Sequence, residues 1–221
     1  MSKLNNNPLP SYTRGEEIFN MVSHIAGGGL GIIALVLCMV VSALHDNGWG
    51  IVSGAVYCAS MIAVYAVSGV YHGLKPCTAK KVMRIIDHCT IYLLIAGTYT
   101  PILLCAIRLS YPVLAWVIFA FVWGCAALGI VLNGVDMQRY KVFSMVCYMG
   151  MGWCIVFVGK AAIKSIPFAG LMWLLAGGIA YTVGAVLYGI GGKVRYMHSV
   201  FHLFVVAGSI LQFICIINYI L

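Results

Sequence analysis

The chain has 221 residues, 63% of them hydrophobic and 8% charged, with a formal net charge of +8. That balance excludes a soluble globular domain, and apolar runs of about 18 residues or more recur along the sequence, as helices that cross a bilayer require. The runs do not alternate apolar and polar residues as the strands of a membrane β-barrel do. The cations sit in short loops without an extended basic face, which excludes nucleic acid as a partner.

Seven segments read as spans: residues 18–44, 50–71, 85–107, 113–132, 143–162, 168–190 and 197–220. The first is long for a signal-peptide core and lacks a cleavage site, so it reads as a retained span after a polar segment 1–17. Asn47-Gly48, Lys75-Pro76 and Ser110-Tyr111-Pro112 mark turns, and such short connections make neighbouring helices antiparallel. With the N-terminus inside, the cytoplasmic side carries Lys3, Arg14, Lys75, Lys80, Lys81, Arg84, Arg139, Lys141, Lys193 and Arg195, against Arg108, Lys160 and Lys164 outside. Ten cations against three predict N-in and C-out. The expected fold is therefore all-α: one seven-transmembrane helix bundle over residues 1–221, multi-pass in the cell membrane. No repeat of 20 to 50 residues, the signature of an inverted-repeat transporter, is visible. Gly27-x-x-x-Gly31 suits close packing of the first helix within the bundle. None of the nine cysteines forms a C-x-x-C pair, and most read as small buried apolar residues.

The polar residues inside the spans carry the functional signal. His72 lies three residues before Lys75, Asp87 three after Arg84 and His198 three after Arg195, so each sits about 4.5 Å deeper than its flanking cation. Ser68 and His202 lie about 6 Å deeper again. Polar side chains at such depth are costly and point to function. His198 and His202 are four residues apart and share a helical face, so both imidazoles can reach one ion; His72 would be the third nitrogen ligand. The competing reading bonds these histidines to backbone or hydroxyl groups. Ser68 shares the face of His72, where its hydroxyl can hold a water or bond back to its own helix. Asp87, the only acid of the third span, can be a ligand, a partner of a ligand, a general base, or the mate of Arg84 in an interfacial ion pair. Three neutral imidazoles plus water make an open tetrahedral site, suited to zinc and also to copper, nickel or iron. The expected chemistry is hydrolysis by a metal-activated water, with Asp87 moving the proton; a site opening near lipid favours an acyl-chain substrate.

Three further histidines carry weaker expectations. His88 reads as a structural hydrogen bonder, His24, in line with Glu17 and Asn20, as a helix-to-helix hydrogen bonder ahead of a cavity-lining residue, and His45 as a solvated loop residue. Pro101, in mid-span, should free a carbonyl and kink its helix.

The stretches Glu16-Glu17-Ile18-Phe19-Asn20 with Ser23-His24, Ser68-Gly69-Val70-Tyr71-His72, Asp87-His88 through Gly97-Thr98-Tyr99-Thr100-Pro101, and His198-Ser199-Val200-Phe201-His202 resemble the hemolysin III family. That family lies within the wider progestin and adipoQ receptor group that includes the adiponectin receptors. The resemblance covers nearly the whole chain. It implies a seven-helix bundle with its N-terminus inside, one zinc ion held by His72, His198 and His202, and Asp87 and Ser68 close to a zinc-bound water. It implies kinship with alkaline ceramidases, hence a hydrolase of a lipid-like amide or ester whose partners are membrane lipids, and a place in the bacterial branch. Two other functions stay open: a haemolytic, pore-forming protein with structural zinc, and a lipid-sensing receptor without turnover. Strongly apolar spans speak against a wide aqueous pore, and the lack of a sizeable cytoplasmic output domain against a receptor.

Overall fold

The computed structural model describes residues 8–191 and 194–221; Lys3 and Lys193, counted in the charge bias, lie outside them. Among the described residues seven helical segments are long and apolar enough to cross a membrane, and the protein is an all-α integral membrane bundle. The helices are α1 (Arg14–Leu44), α2 (Gly48–Gly73), α3 (Thr78–Pro101), α4 (Pro112–Asp136), α5 (Lys141–Gly152), α6 (Gly159–Ser165), α7 (Phe168–Ile190) and α8 (Met197–Tyr219). Together α5 and α6 make up one span, the fifth.

Helix α1 starts four residues earlier than hydropathy predicts, because a capping box closes it. The Glu16 N–H donates to Thr13 Oγ1 at 3.3 Å while the Thr13 N–H donates to the Glu16 carboxylate at 2.8 Å. At 31 residues it is about 46 Å long, against a hydrocarbon core of about 30 Å. Its first turns therefore stand in the interface, where acids can be solvated or paired. Asn47 caps α2 through the Gly50 N–H, 2.8 Å away, and Pro112 opens α4, where its missing N–H costs nothing.

The third span, Thr78–Ser110, which begins with α3, lies at the centre. In its most apolar window 83% of the residues are buried, against 28% for α1. Helices α2 and α4 flank α3, α1 packs between α2 and α8, and α7 packs on α8. Gly27 and Gly31 do lie at a close approach: a Cβ would meet the Tyr65 ring at 2.8 Å and Ile62 at 2.9 Å, so this stripe packs α1 on α2. Beyond Pro101 the third span passes into a π-helical stretch, Ile102–Ile107, before ending at Ser110.

The fifth span departs from expectation. It is not one helix over residues 143–162 but breaks after Gly152 into a 3₁₀ segment, Cys154–Val158, and resumes as α6. Glycine at 150 and 152 weakens the helix locally, and a side chain from α3 completes the break. The Tyr99 hydroxyl donates to the Gly152 carbonyl at 3.0 Å and accepts from the Ile155 N–H at 2.8 Å. Trp153 Nε1 donates to Thr182 Oγ1 on α7 at 3.0 Å. Backbone groups freed within a membrane span are thus satisfied by neighbouring helices. Because α5 and α7 touch sparingly, the break leaves a cavity of about 500 Å³ walled by spans two, three, five, six and seven, with His24 of the first span also in its lining.

Tyr99→Phe should strand both backbone groups of the break at a cost of about 1–3 kcal/mol for each unsatisfied group. A lower melting temperature of the purified protein in detergent is the expected result, and an unchanged one would show that the break does not depend on this hydroxyl.

Candidate metal centre

The helix ends gathered at one side of the bundle are aligned by the first turn of α1. Glu16 Oε1 accepts from the Tyr196 N–H at 2.7 Å, fixing the residue that precedes α8. Tyr196 is held at φ 59°, a left-handed conformation unfavourable for a bulky side chain. Glu17 reaches two other helices: its Oε2 lies 2.7 Å from His72 Nδ1 on α2, and its Oε1 accepts from Lys80 Nζ on α3 at 2.7 Å.

Within this frame His72, His198 and His202 converge, with one ring nitrogen from each lying within 4.8 Å of the others. His198 and His202 approach through their Nε2 atoms at 3.0 Å, as the four-residue spacing on α8 dictates. His72 and His202 are 2% and 1% exposed, and His72 Nε2 is buried without a hydrogen-bond partner. Leaving such a nitrogen unpaired at membrane depth is costly. A cation accepting three imidazole lone pairs removes that cost, so the donor set fits a transition metal such as zinc.

Asp87 and Ser68 line the same cavity as His198 and His202, and the two side chains stand within hydrogen-bonding reach of each other across α2 and α3. Asp87 is not one of the converging three, and its carboxylate is 3.9 Å from His88 Nδ1, too far for a hydrogen bond. His88 is a structural hydrogen bonder as expected: Nδ1 lies 2.9 Å from the Arg84 carbonyl and Nε2 3.3 Å from the Tyr188 hydroxyl. His24 is not the helix-to-helix hydrogen bonder expected. Its ring stacks on His202 with centroids 3.7 Å apart, and both its nitrogens lack hydrogen-bond partners in the structure. His45 is exposed, as a loop residue should be, though Nδ1 approaches the Leu221 carbonyl at 3.2 Å.

Sequence reasoning missed three residues. Glu17 counted only as part of a polar stripe, and Lys80 only as an orienting cation, yet Lys80 is 3% exposed. Tyr12, ahead of α1, lies over the histidines: its ring stacks on His198 at 5.0 Å and stands 5.8 Å from His72. Its segment is tied down by Arg84 Nη1, which donates to the Pro8 carbonyl at 2.6 Å. Burial, with the nearby phenols of Tyr71 and Tyr188, raises the Tyr12 hydroxyl above its ordinary range, so it stays protonated. No periodic pattern reaches this segment; its polarity alone gave no signal.

The profile of the family described as "Haemolysin-III related" matches residues 12–213, a stretch that contains every one of these site residues. The chain belongs to the haemolysin-III-related family. This haemolysin-III-related protein is 37% identical to "Hemolysin-3" of Bacillus cereus over 206 residues, covering 93% of this chain and 92% of that one. It is 36% identical to "Hemolysin-3 homolog" of Bacillus subtilis (strain 168) over 208 residues, 94% and 96% of the two chains. A more distant relative is the human "Monocyte to macrophage differentiation factor", 27% identical over 193 residues, 84% of this chain and 78% of that one.

Elemental analysis checks the convergence of the haemolysin-III-related histidines. The purified protein should hold close to one transition-metal ion per chain, and His72→Ala or His198→Ala should lose it while remaining monodisperse. Full metal content in both variants would overturn the ligand set.

Proposed function

We propose that this integral membrane protein is a zinc-dependent hydrolase that cleaves an amide or ester bond of a lipid-like molecule inside the membrane. The observation that carries the reading is the convergence of three imidazoles, two of which, His198 and His202, line a largely apolar cavity of about 500 Å³ together with Asp87 and Ser68. That volume lies within the range of small-molecule sites, about 300–1,000 Å³.

His72, His198 and His202 would hold the ion, which when bound supplies a Lewis acid and lowers the pKa of a water to about 7. Asp87 accepts the proton from the attacking water and returns it to the departing amine or alkoxide. Ser68, within hydrogen-bonding reach of Asp87, fixes which carboxylate oxygen faces the reacting atoms. Ile91, Leu94, Ile95 and Val205 wall the cavity beyond, and they exclude bulk water while packing an acyl chain. The wall formed by α8 runs from His198 to Gln212, about 21 Å of helix, which exceeds the roughly 15 Å that one leaflet contributes to the hydrocarbon core. The wall residues Val156, Ile163 and Met172 are also exposed on the bundle surface, at 63%, 69% and 42%. Between the broken fifth span and α7 the cavity thus meets the lipid-facing side, a path for a substrate that arrives by diffusion in the membrane.

The haemolysin names of the Bacillus relatives favour a second reading, membrane lysis with a structural ion. The two differ in what Asp87 does. Purified protein incubated with a panel of ceramides and N-acyl amides or esters should release free fatty acid only when metal-loaded. Asp87→Asn should retain the metal and lower kcat about 100-fold or more. Absence of metal-dependent release across the panel, with dye leakage from liposomes unaffected by Asp87→Asn, would favour lysis.

The proposed site faces the cytoplasm. Cys77, the exposed cysteine of the loop between α2 and α3, tests this. A membrane-impermeant maleimide should label it in inverted vesicles and not in intact spheroplasts; the opposite pattern would reverse the orientation.

A further inference from the structure

Only one nitrogen of His72 can ligate an ion, and its surroundings choose which. Glu17 Oε2 lies 2.7 Å from Nδ1. A carboxylate only accepts, so Nδ1 carries the proton and Nε2 is left with the lone pair. Nε2 is also the buried atom without a hydrogen-bond partner. The carboxylate is itself held. Lys80 Nζ donates to Glu17 Oε1 at 2.7 Å and to the Leu74 carbonyl at 2.8 Å, and stands 5.2 Å from the centroid of the Tyr71 ring. A buried ammonium requires an ionised partner, so Lys80 keeps Glu17 charged and fixes its plane. An acid in the first turn of a helix is ordinarily explained by the helix dipole. Here both carboxylate oxygens are turned away from their own helix, towards α2 and α3.

We propose that Glu17, held in place by Lys80, is a positioning residue that sets the tautomer and direction of His72 and thereby the metal affinity of the centre. The inference rests on the metal reading above. Carboxylate–histidine–metal arrangements behave this way, and loss of the outer partner costs about 10–100-fold in metal affinity. Lys80 acts one step further out, so its removal should weaken the metal less than removal of Glu17.

The test compares full-length wild type with Glu17→Ala, Glu17→Gln and Lys80→Met in detergent. Zinc affinity is read by competition with a chromophoric chelator, and the His72 tautomer in metal-free protein by ¹⁵N-histidine NMR. Wild type should show His72 protonated at Nδ1. Glu17→Ala should shift it towards a tautomer mixture and weaken zinc about 10–100-fold, with Glu17→Gln and Lys80→Met in between. A merely structural Glu17 would lower the metal-free melting temperature and leave the tautomer unmoved. Should Glu17→Ala fail to fold, the isosteric Glu17→Gln carries the comparison. Zinc affinities equal within about twofold across the series, with wild type binding zinc, would overturn this inference and leave the metal centre intact. A wild type that binds no zinc would instead overturn the metal reading, and the tautomer measurement would still decide whether Glu17 sets His72.

Discussion

Two adjacent acids in the first turn of α1 hold the polar end of this bundle together. Glu16 binds the backbone N–H of Tyr196 and so fixes where α8 begins; Glu17 binds His72 of α2 and Lys80 of α3. The helices that bring the imidazoles and Asp87 to one place are thus all tied to the same turn. Both contacts are charge-assisted and therefore stronger than neutral hydrogen bonds. The left-handed Tyr196, which costs of the order of 1–3 kcal/mol, persists because Glu16 and the packing of its ring over Gly15 hold it there. Removing one member of a buried ion pair typically costs about 3–5 kcal/mol, so this turn acts on stability as well as on site geometry.

Much of this arrangement was legible in the sequence because membranes make polar residues informative. The spans followed from composition, and the three histidines with Asp87 and Ser68 stood out by depth relative to flanking cations. The four-residue spacing of His198 and His202 placed both on one face, and the structure brings them to 3.0 Å. The relation of α1 to these residues was not legible. Glu17 and Lys80 are 63 residues apart, and each has a sufficient local explanation, one as a helix-start acid and the other as a loop cation. Nothing in a single chain reveals that two such residues are each other's partner. His24 was misjudged for a related reason: a buried imidazole suggests a hydrogen bond, but this ring spends its face on His202.

The broken fifth span was invisible for a different reason. Its sequence is as apolar as that of an unbroken helix, and the two glycines are no more conspicuous than those of α7, which stays helical throughout. The break is decided by Tyr99, whose single hydroxyl serves one carbonyl and one N–H across it. A tertiary contact overrides local propensity here, and the cavity exists because it does.

That cavity also limits what can fill it. Most of the hydroxyls along its length already have protein partners: Thr98 donates to the Leu94 carbonyl, Tyr99 to the Gly152 carbonyl, and Tyr181 pairs with Ser209. Gln212 donates one amide N–H to the Leu174 carbonyl, and its Oε1 is buried without a partner. A ligand polar along its whole length would bury groups with almost no mates, at about 1–3 kcal/mol each. A ligand with one polar end and an apolar tail incurs that cost nowhere, since its tail meets Ile91, Leu94 and Val205 while its polar end reaches Asp87 and the histidines. For the proposed lipid-like substrate, selection would therefore come as much from the hydrogen bonds the wall has already committed as from the groups it offers.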